Sequence, residues 1–196
     1  MQNIEPTDQR RLLVMARRAI RDRLAGRSAA AAPDEPPSAA LQQARGNFVS
    51  LHLGGELRGC MGTLEPEGSL ADGVISNACH AAFDDPRFAP LTLPEFNRVA
   101  IDISVLELPQ PVFPDSEAAL CRLLRPGADG LIVQWGRQRA TFLPVVWAQL
   151  PEPAAFLAQL RLKAGLPADF WADELRWWRY GAQHFAEADF GLPHRN

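Results

Sequence analysis

Two strand-like runs joined by Gly54-Gly55 constrain this chain more than any other stretch of its sequence. Asn47 to Leu53 is rich in branched and aromatic residues, the glycine pair suits a two-residue turn with positive φ, and Glu56 to Gly62 returns as a second strand. A hairpin of this kind pairs antiparallel, which argues against an all-parallel, doubly wound sheet. The next spacing predicts a helix from Ser69 to Phe83, capped by Ser69, with Leu70, Val74, Ala78 and Ala81 on one face and Asp85-Pro86 as the stop. Val99 to Leu108 alternates as a strand, with Val99, Ile101, Ile103 and Val105 on one side.

Further along, Ser116 to Leu124 reads as a short helix. Gly130 to Trp135 and Arg139 to Leu143 flank Gly136 as a second hairpin, helical stretches come next at Val145 to Leu150 and Pro153 to Ala164, and Glu174 to Tyr180 closes as a strand. This order of helices and hairpins predicts an α+β fold with a mainly antiparallel sheet built from hairpins and flanked by helices. With 47% hydrophobic and 22% charged residues among 196, the chain can bury a core and is not globally disordered.

At the N-terminus, Leu13, Ala16, Ile20 and Leu24 recur at helical spacing behind Thr7 as a plausible cap, so residues 1–25 read as a helix packed on the domain. Its other face is basic, and through Arg27 the segment carries seven Arg against Glu5, Asp8 and Asp22. A basic helix can hold phosphates, but the net charge of -3 and the lack of a second basic stripe favour a solvated face and no nucleic-acid partner. Residues 26–46, broken by Pro33, Pro36 and Pro37, read as a Pro/Ala-rich surface connection; 47–190 is then the domain proper and 191–196 a tail. No run approaches the ~18–20 apolar residues of a membrane span, and the charged start lacks a secretory signal, so a cytoplasmic protein without a membrane partner is expected. Cys60, Cys79 and Cys121 show neither C-x-x-C nor Cys/His pair spacing, which predicts free thiols and no structural metal.

The most unusual local sequence is Leu57-Arg58-Gly59-Cys60-Met61-Gly62. Plain strand alternation puts Arg58, Cys60 and Gly62 on one face, so a guanidinium and a thiol stand side by side next to a missing side chain. A nearby cation favours a thiolate, and the gap at Gly62 would admit a ligand to the sulfur. The other reading is an inert core thiol, with glycines that serve a bulge or tight packing. Arg87, in Asp84-Asp85-Pro86-Arg87-Phe88, either binds a carboxylate or phosphate or pairs with one of the preceding aspartates. His80 and Asp84 are too few for a metal site. His52, on the neighbouring strand, is a candidate base or an ordinary strand histidine.

Residues 46–52, GNFVSLH, followed by Leu57 to Gly62, resemble the AMMECR-type domain family, whose hallmark hexapeptide has Ile where this chain has Met61. The resemblance continues, in order, through Ala81-Ala82-Phe83 with Asp85-Pro86-Arg87-Phe88, Ile103 to Leu106, Gly130 to Val133, Thr141 to Pro144, Phe156-Leu157 and Lys163 to Leu166. It implies an α+β domain with a smaller lobe and the hexapeptide beside a groove. Val145 departs from the Gln expected after the Leu-Pro pair. The resemblance also suggests a bacterial AmmeMemoRadiSam system protein A-like chain, with a Memo-like protein and a radical S-adenosylmethionine protein as partners. It brings no reaction and no cofactor with it.

The leading expectation is a cofactor-free binding or accessory component. Arg58, Gly59, Gly62 and Arg87 would hold an anionic small molecule or peptide near Cys60 for a partner enzyme, with Lys163 joined to the site through the resemblance alone. Two alternatives stay open. One is a cysteine-dependent enzyme or covalent carrier with Cys60 as nucleophile and Arg58 as thiolate stabiliser. The other is a ligand-free interaction scaffold, to which the adjacent Trp177 and Trp178 lend some support.

Overall fold

The computed structural model describes residues 3–27, 37–64, 66 and 68–192. In chain order the elements are α1 (Pro6–Leu24), α2 (Ala39–Gln42), β1 (Asn47–Leu53), β2 (Glu56–Thr63), α3 (Leu70–Phe83), α4 (Leu93–Phe96), β3 (Ala100–Leu106), β4 (Gln110–Val112), α5 (Glu117–Leu123), β5 (Gly130–Trp135), β6 (Gln138–Phe142), α6 (Pro153–Lys163), β7 (Arg176–Tyr180) and β8 (Ala182–Ala186), with 3-10 turns at Pro144–Ala148 and Glu187–Phe190. The chain forms two compact units. The first is built from the segments up to Leu106 and from Gln183 onward, and the second from Glu107 to Ala182.

The first unit has the sheet order β2-β1-β3-β8, with β1 antiparallel to both β2 and β3. Gly54 and Gly55 turn the hairpin at φ of 63° and 88°, values an L side chain rarely adopts. Val49, Leu51, Ile101, Ile103 and Val105 project to one face and pack with Leu13, Ala16 and Ile20 of α1 and with Leu70, Val74, Ala78 and Ala81 of α3. The helical stripe and the strand alternation therefore meet in one core. Thr7 is not the cap of α1: Glu5 takes that place and Pro6 opens the helix, where its missing N–H costs nothing.

Gly59 sets how closely α3 approaches β2. A Cβ on Gly59 would stand 2.1 Å from the Ala81 carbonyl oxygen, a backbone atom that cannot rotate away. Gly59→Ala is expected to cost about 2 kcal/mol or more in chemical denaturation, because strand and helix must separate. An unchanged midpoint would show that the packing yields.

Of the expected connection over 26–46, residues 28–36 lie outside the described residues. The stretch after them is not all surface, because Ser38 caps α2 and Leu41 is fully buried in the first unit's core. A single Leu among small and polar residues gives no periodicity to announce this. β3 stops at Leu106, two residues short of the expected end, and the Glu107 amide donates to the Gly181 carbonyl. β4 and β8 went unread, since β4 has only three residues around Pro111 and β8 has a single large apolar residue, Phe185.

In the second unit the order is β4-β7-β5-β6. Leu131, Val133, Phe156, Leu157, Leu160 and Trp177 share its core, and the Trp147 ring stacks on Phe156 at 3.9 Å. Trp178, the neighbour of buried Trp177, is half-buried.

Candidate functional site

Because β1 alternates, the residues that do not enter the core face the other side of the first sheet. Asn47, Val49 and Leu51 are buried, whereas Phe48, Ser50 and His52 are half-buried. Register places Ser50 between Cys60 on β2 and Asp102 on β3. Across this face runs a row of polar side chains that spans all four strands. The Ser50 hydroxyl donates to the Cys60 sulfur at 3.3 Å, His52 Nε2 lies 3.3 Å and His184 Nε2 3.9 Å from the same Asp102 oxygen, and His184 Nδ1 shares a hydrogen bond with Ser104. Every large helix of this unit packs with the apolar face instead, so the row stays partly open.

Cys60 is held by its backbone as well. β2 is an edge strand, and at Cys60 the neighbouring turn occupies the edge. The Cys60 N–H donates to Asp85 Oδ2 at 2.9 Å, and its carbonyl accepts from Arg87 Nη2 at 3.3 Å. Both groups therefore point away from β1, the geometry of a non-hydrogen-bonded antiparallel pair. Such pairs bring side chains closest together, which accounts for the Ser50–Cys60 contact. Asp85 and Arg87 are joined by a two-pronged ion pair at 2.9 and 2.7 Å. The carboxyl of Asp85, 4% exposed, is held well below the usual carboxylate range, first by the Arg87 side chain and then, against the effect of burial, by the Cys60 and Arg87 amides. Arg87 is pushed up, chiefly by Asp85 and in part by the Cys60 thiol beside it.

Arg58 does not follow the expected alternation. The pairing slips between Leu51, opposite Gly59, and His52, opposite Leu57, which leaves Arg58 as the extra residue of a β-bulge. Its guanidinium grips both oxygens of Glu95, at 2.9 and 3.2 Å, and donates to the Ala89 carbonyl. Glu95 is thereby lowered to about 2, first by Arg58 and next by the Thr92 amide. The Phe88 ring lies 5.7 Å from one guanidinium and 5.5 Å from the other. Arg58, Cys60 and Arg87 thus converge on the β2 edge, but the cation beside the thiol is Arg87.

The gap expected at Gly62 is filled. A Cβ there would meet the Phe48 ring at 2.1 Å, so Gly62 makes room for an aromatic side chain and Gly59 for α3, rather than for a ligand. Lys163 belongs to the second unit, where its ammonium donates to the Thr141 carbonyl at 3.0 Å and stands 5.2 Å from the Phe142 ring. Asp84 pairs with Arg23, and among the described residues no group of three or more His, Cys, Asp or Glu is arranged to hold a metal. No described helix is long and apolar enough to cross a membrane. Ser50, Asp102, Ser104 and His184 were missed as site residues. Strand parity puts Asp102 opposite the apolar Val99, Ile101, Ile103 and Val105, but only the pairing of β1, β3 and β8 brings Ser50, Ser104 and His184 to the same face.

Comparison with known proteins agrees with this architecture. A protein from Methanothermobacter thermautotrophicus is 41% identical over 180 residues, spanning 91% of this chain and 93% of that protein. Protein PF1979 of Pyrococcus furiosus is 36% identical over 184 residues, spanning 90% and 86%. The crystal structure of the uncharacterized protein PH0010 from Pyrococcus horikoshii superposes with a TM-score of 0.75 at 31% identity, covering 93% of each chain. With the AMMECR1 family model matching residues 13–185, this chain belongs to the AMMECR1 family.

Proposed function

We propose that the protein is a binding or accessory component that holds an anionic small molecule or peptide against the open face of its first sheet, at Cys60, for a partner enzyme. The observation that supports this is the half-open polar row on that face, beginning at a thiol whose strand is fixed through both backbone groups. A sheet face with no task beyond solvation has no need of a thiol paired with a hydroxyl beside a carboxylate that two imidazoles share. The anionic preference rests on Arg87, 54% exposed despite its pairing with Asp85. A Memo-like or radical S-adenosylmethionine protein is the partner class suggested by the family resemblance.

Covalent attachment at Cys60 is the second reading, favoured by the two donor groups beside the sulfur. Neutral iodoacetamide separates the binding surface from an inert thiol. Cys60 is expected to react ahead of Cys79 and Cys121 at neutral pH, and a small-molecule fraction from the native cell should slow Cys60 selectively. Equal rates at all three thiols would end both readings. Intact mass of protein taken from that cell then divides them: an adduct on Cys60 supports attachment, whereas unmodified protein with a retained ligand supports binding.

A further inference from the structure

We infer that a groove within the second unit binds an extended peptide segment in which a cationic side chain stands among prolines. The site is separate from the open face of the first sheet and does not depend on it. β4 ends at Val112, opposite Trp177 on β7. Beyond that pair a groove of about 570 Å³ opens, with Phe113 and Pro114 along one segment and Asp173 to Trp178 along the other. Phe113 is 90% exposed, more than any other large apolar side chain among the described residues. A ring held in water beside the half-buried Trp178 and the exposed Pro111 offers apolar contact that the unit itself does not use.

Two independent observations name the occupant. Trp177, which lines the groove, is 2% exposed, and its indole N–H meets no acceptor, whereas the N–H of buried Trp147 donates to the Asp129 carbonyl at 2.6 Å. An unmade hydrogen bond at a buried donor is costly, so the groove favours a ligand that brings a carbonyl. A polyproline II segment does so, because none of its backbone carbonyls is used internally, and aromatic-lined grooves suit its shape. The second observation is charge. Asp173 and Glu174 are exposed, and neither they nor Arg176, the one cation in the lining, enters an ion pair among the described residues. Two carboxylates against one guanidinium leave the groove negative, and an incoming cation also gains from the Phe113 and Trp178 rings.

The test titrates the isotopically labelled full chain with a capped Pro-Pro-Arg-Pro-Pro peptide, its Glu counterpart and N-acetylarginine amide, and follows the five indole N–H signals by NMR. With the Arg peptide the Trp177 signal should move downfield, as its N–H acquires an acceptor. The Arg peptide should bind about tenfold more tightly than the Glu peptide at low salt, and the difference should shrink as salt screens it. Asp173→Asn with Glu174→Gln should erase that preference. Phe113→Ala removes a ring with little part in folding and should weaken the Arg peptide about fivefold, with circular dichroism confirming that each variant is folded. The wild-type peptide series needs no variant. No shift at Trp177 with millimolar Arg peptide, or equal affinity for the Glu peptide, would overturn the proposal. So would N-acetylarginine amide binding as tightly as the peptide, which would make the groove a pocket for small cations. The selectivity of iodoacetamide for Cys60 is read separately, so failure here leaves the reading of the first sheet standing, and failure there leaves this one.

Discussion

Replacing Arg17 with leucine is expected to destabilise the first unit by roughly 3–5 kcal/mol, because it removes the guanidinium that is paired with a buried carboxylate. The carboxylate belongs to Glu187, 1% exposed at the start of the 3-10 turn Glu187–Phe190. Its carboxylate accepts from Arg17 Nε and, at 2.6 Å, from Nη2, and it also accepts the Ile101 amide at 2.9 Å. Arg17 further donates to the Phe96 and Val99 carbonyls at 3.2 and 2.7 Å, so one guanidinium ties α1 to the segment entering β3 and to the C-terminal turn. Without it, the buried Glu187 carboxylate loses its guanidinium partner. Adding Glu187→Gln to Arg17→Leu should therefore recover about 1–2 kcal/mol, since a neutral amide can stay buried and still accept from Ile101. Urea denaturation of the two single variants and the double variant measures this. Additive losses would show that the pair contributes little beyond its separate contacts.

The same arginine marks where local pattern stops informing on structure. Leu13, Ala16 and Ile20 were legible because a stripe repeats within one helix. The basic residues opposite read as a solvated face, yet Arg17 is paired with Glu187, Arg23 with Asp84 and Arg27 with Asp22. Glu187 is 170 positions from Arg17, a separation no periodicity bridges. Arg58 failed for a different reason. Alternation holds only while the register holds, and the bulge between Leu51 and His52 is a property of the pair of strands. The polar row was half legible: Cys60 and His52 drew notice as residue types, whereas Asp102 and His184 gain meaning only when β1, β3 and β8 lie side by side. For Arg87, pairing with a preceding aspartate was one of two open readings. That this pair also braces Cys60 comes only from β2 being the edge strand.

Asp85→Ala tests that brace and carries the second large effect. Wild-type Asp85 accepts the Cys60 amide, the Arg87 amide and two guanidinium N–H groups, and its side chain is 2% exposed. Removing it leaves the Cys60 amide without its acceptor on the strand edge, at an expected cost of about 3 kcal/mol at pH 7. The pH dependence identifies the charge. Because the folded-state carboxyl is held below its ordinary value, its stabilising contribution is complete above the unfolded value of about 4. As pH falls below about 4 the unfolded chain takes up the proton while folded Asp85 stays ionised, so the contribution fades and is lost once the folded carboxyl protonates. Wild type and variant should thus differ by a constant amount from neutral pH down to about 5 and converge in stronger acid. Glu95, lowered to about 2, adds to the acid limb of both proteins alike and cancels in the comparison. Convergence already at pH 6 would mean that Arg87 does not hold this carboxyl. Hydrogen exchange supplies a second readout: the Cys60 amide should exchange faster in the variant, because its partner at the sheet edge is gone while the pairing of β1 with β3 remains.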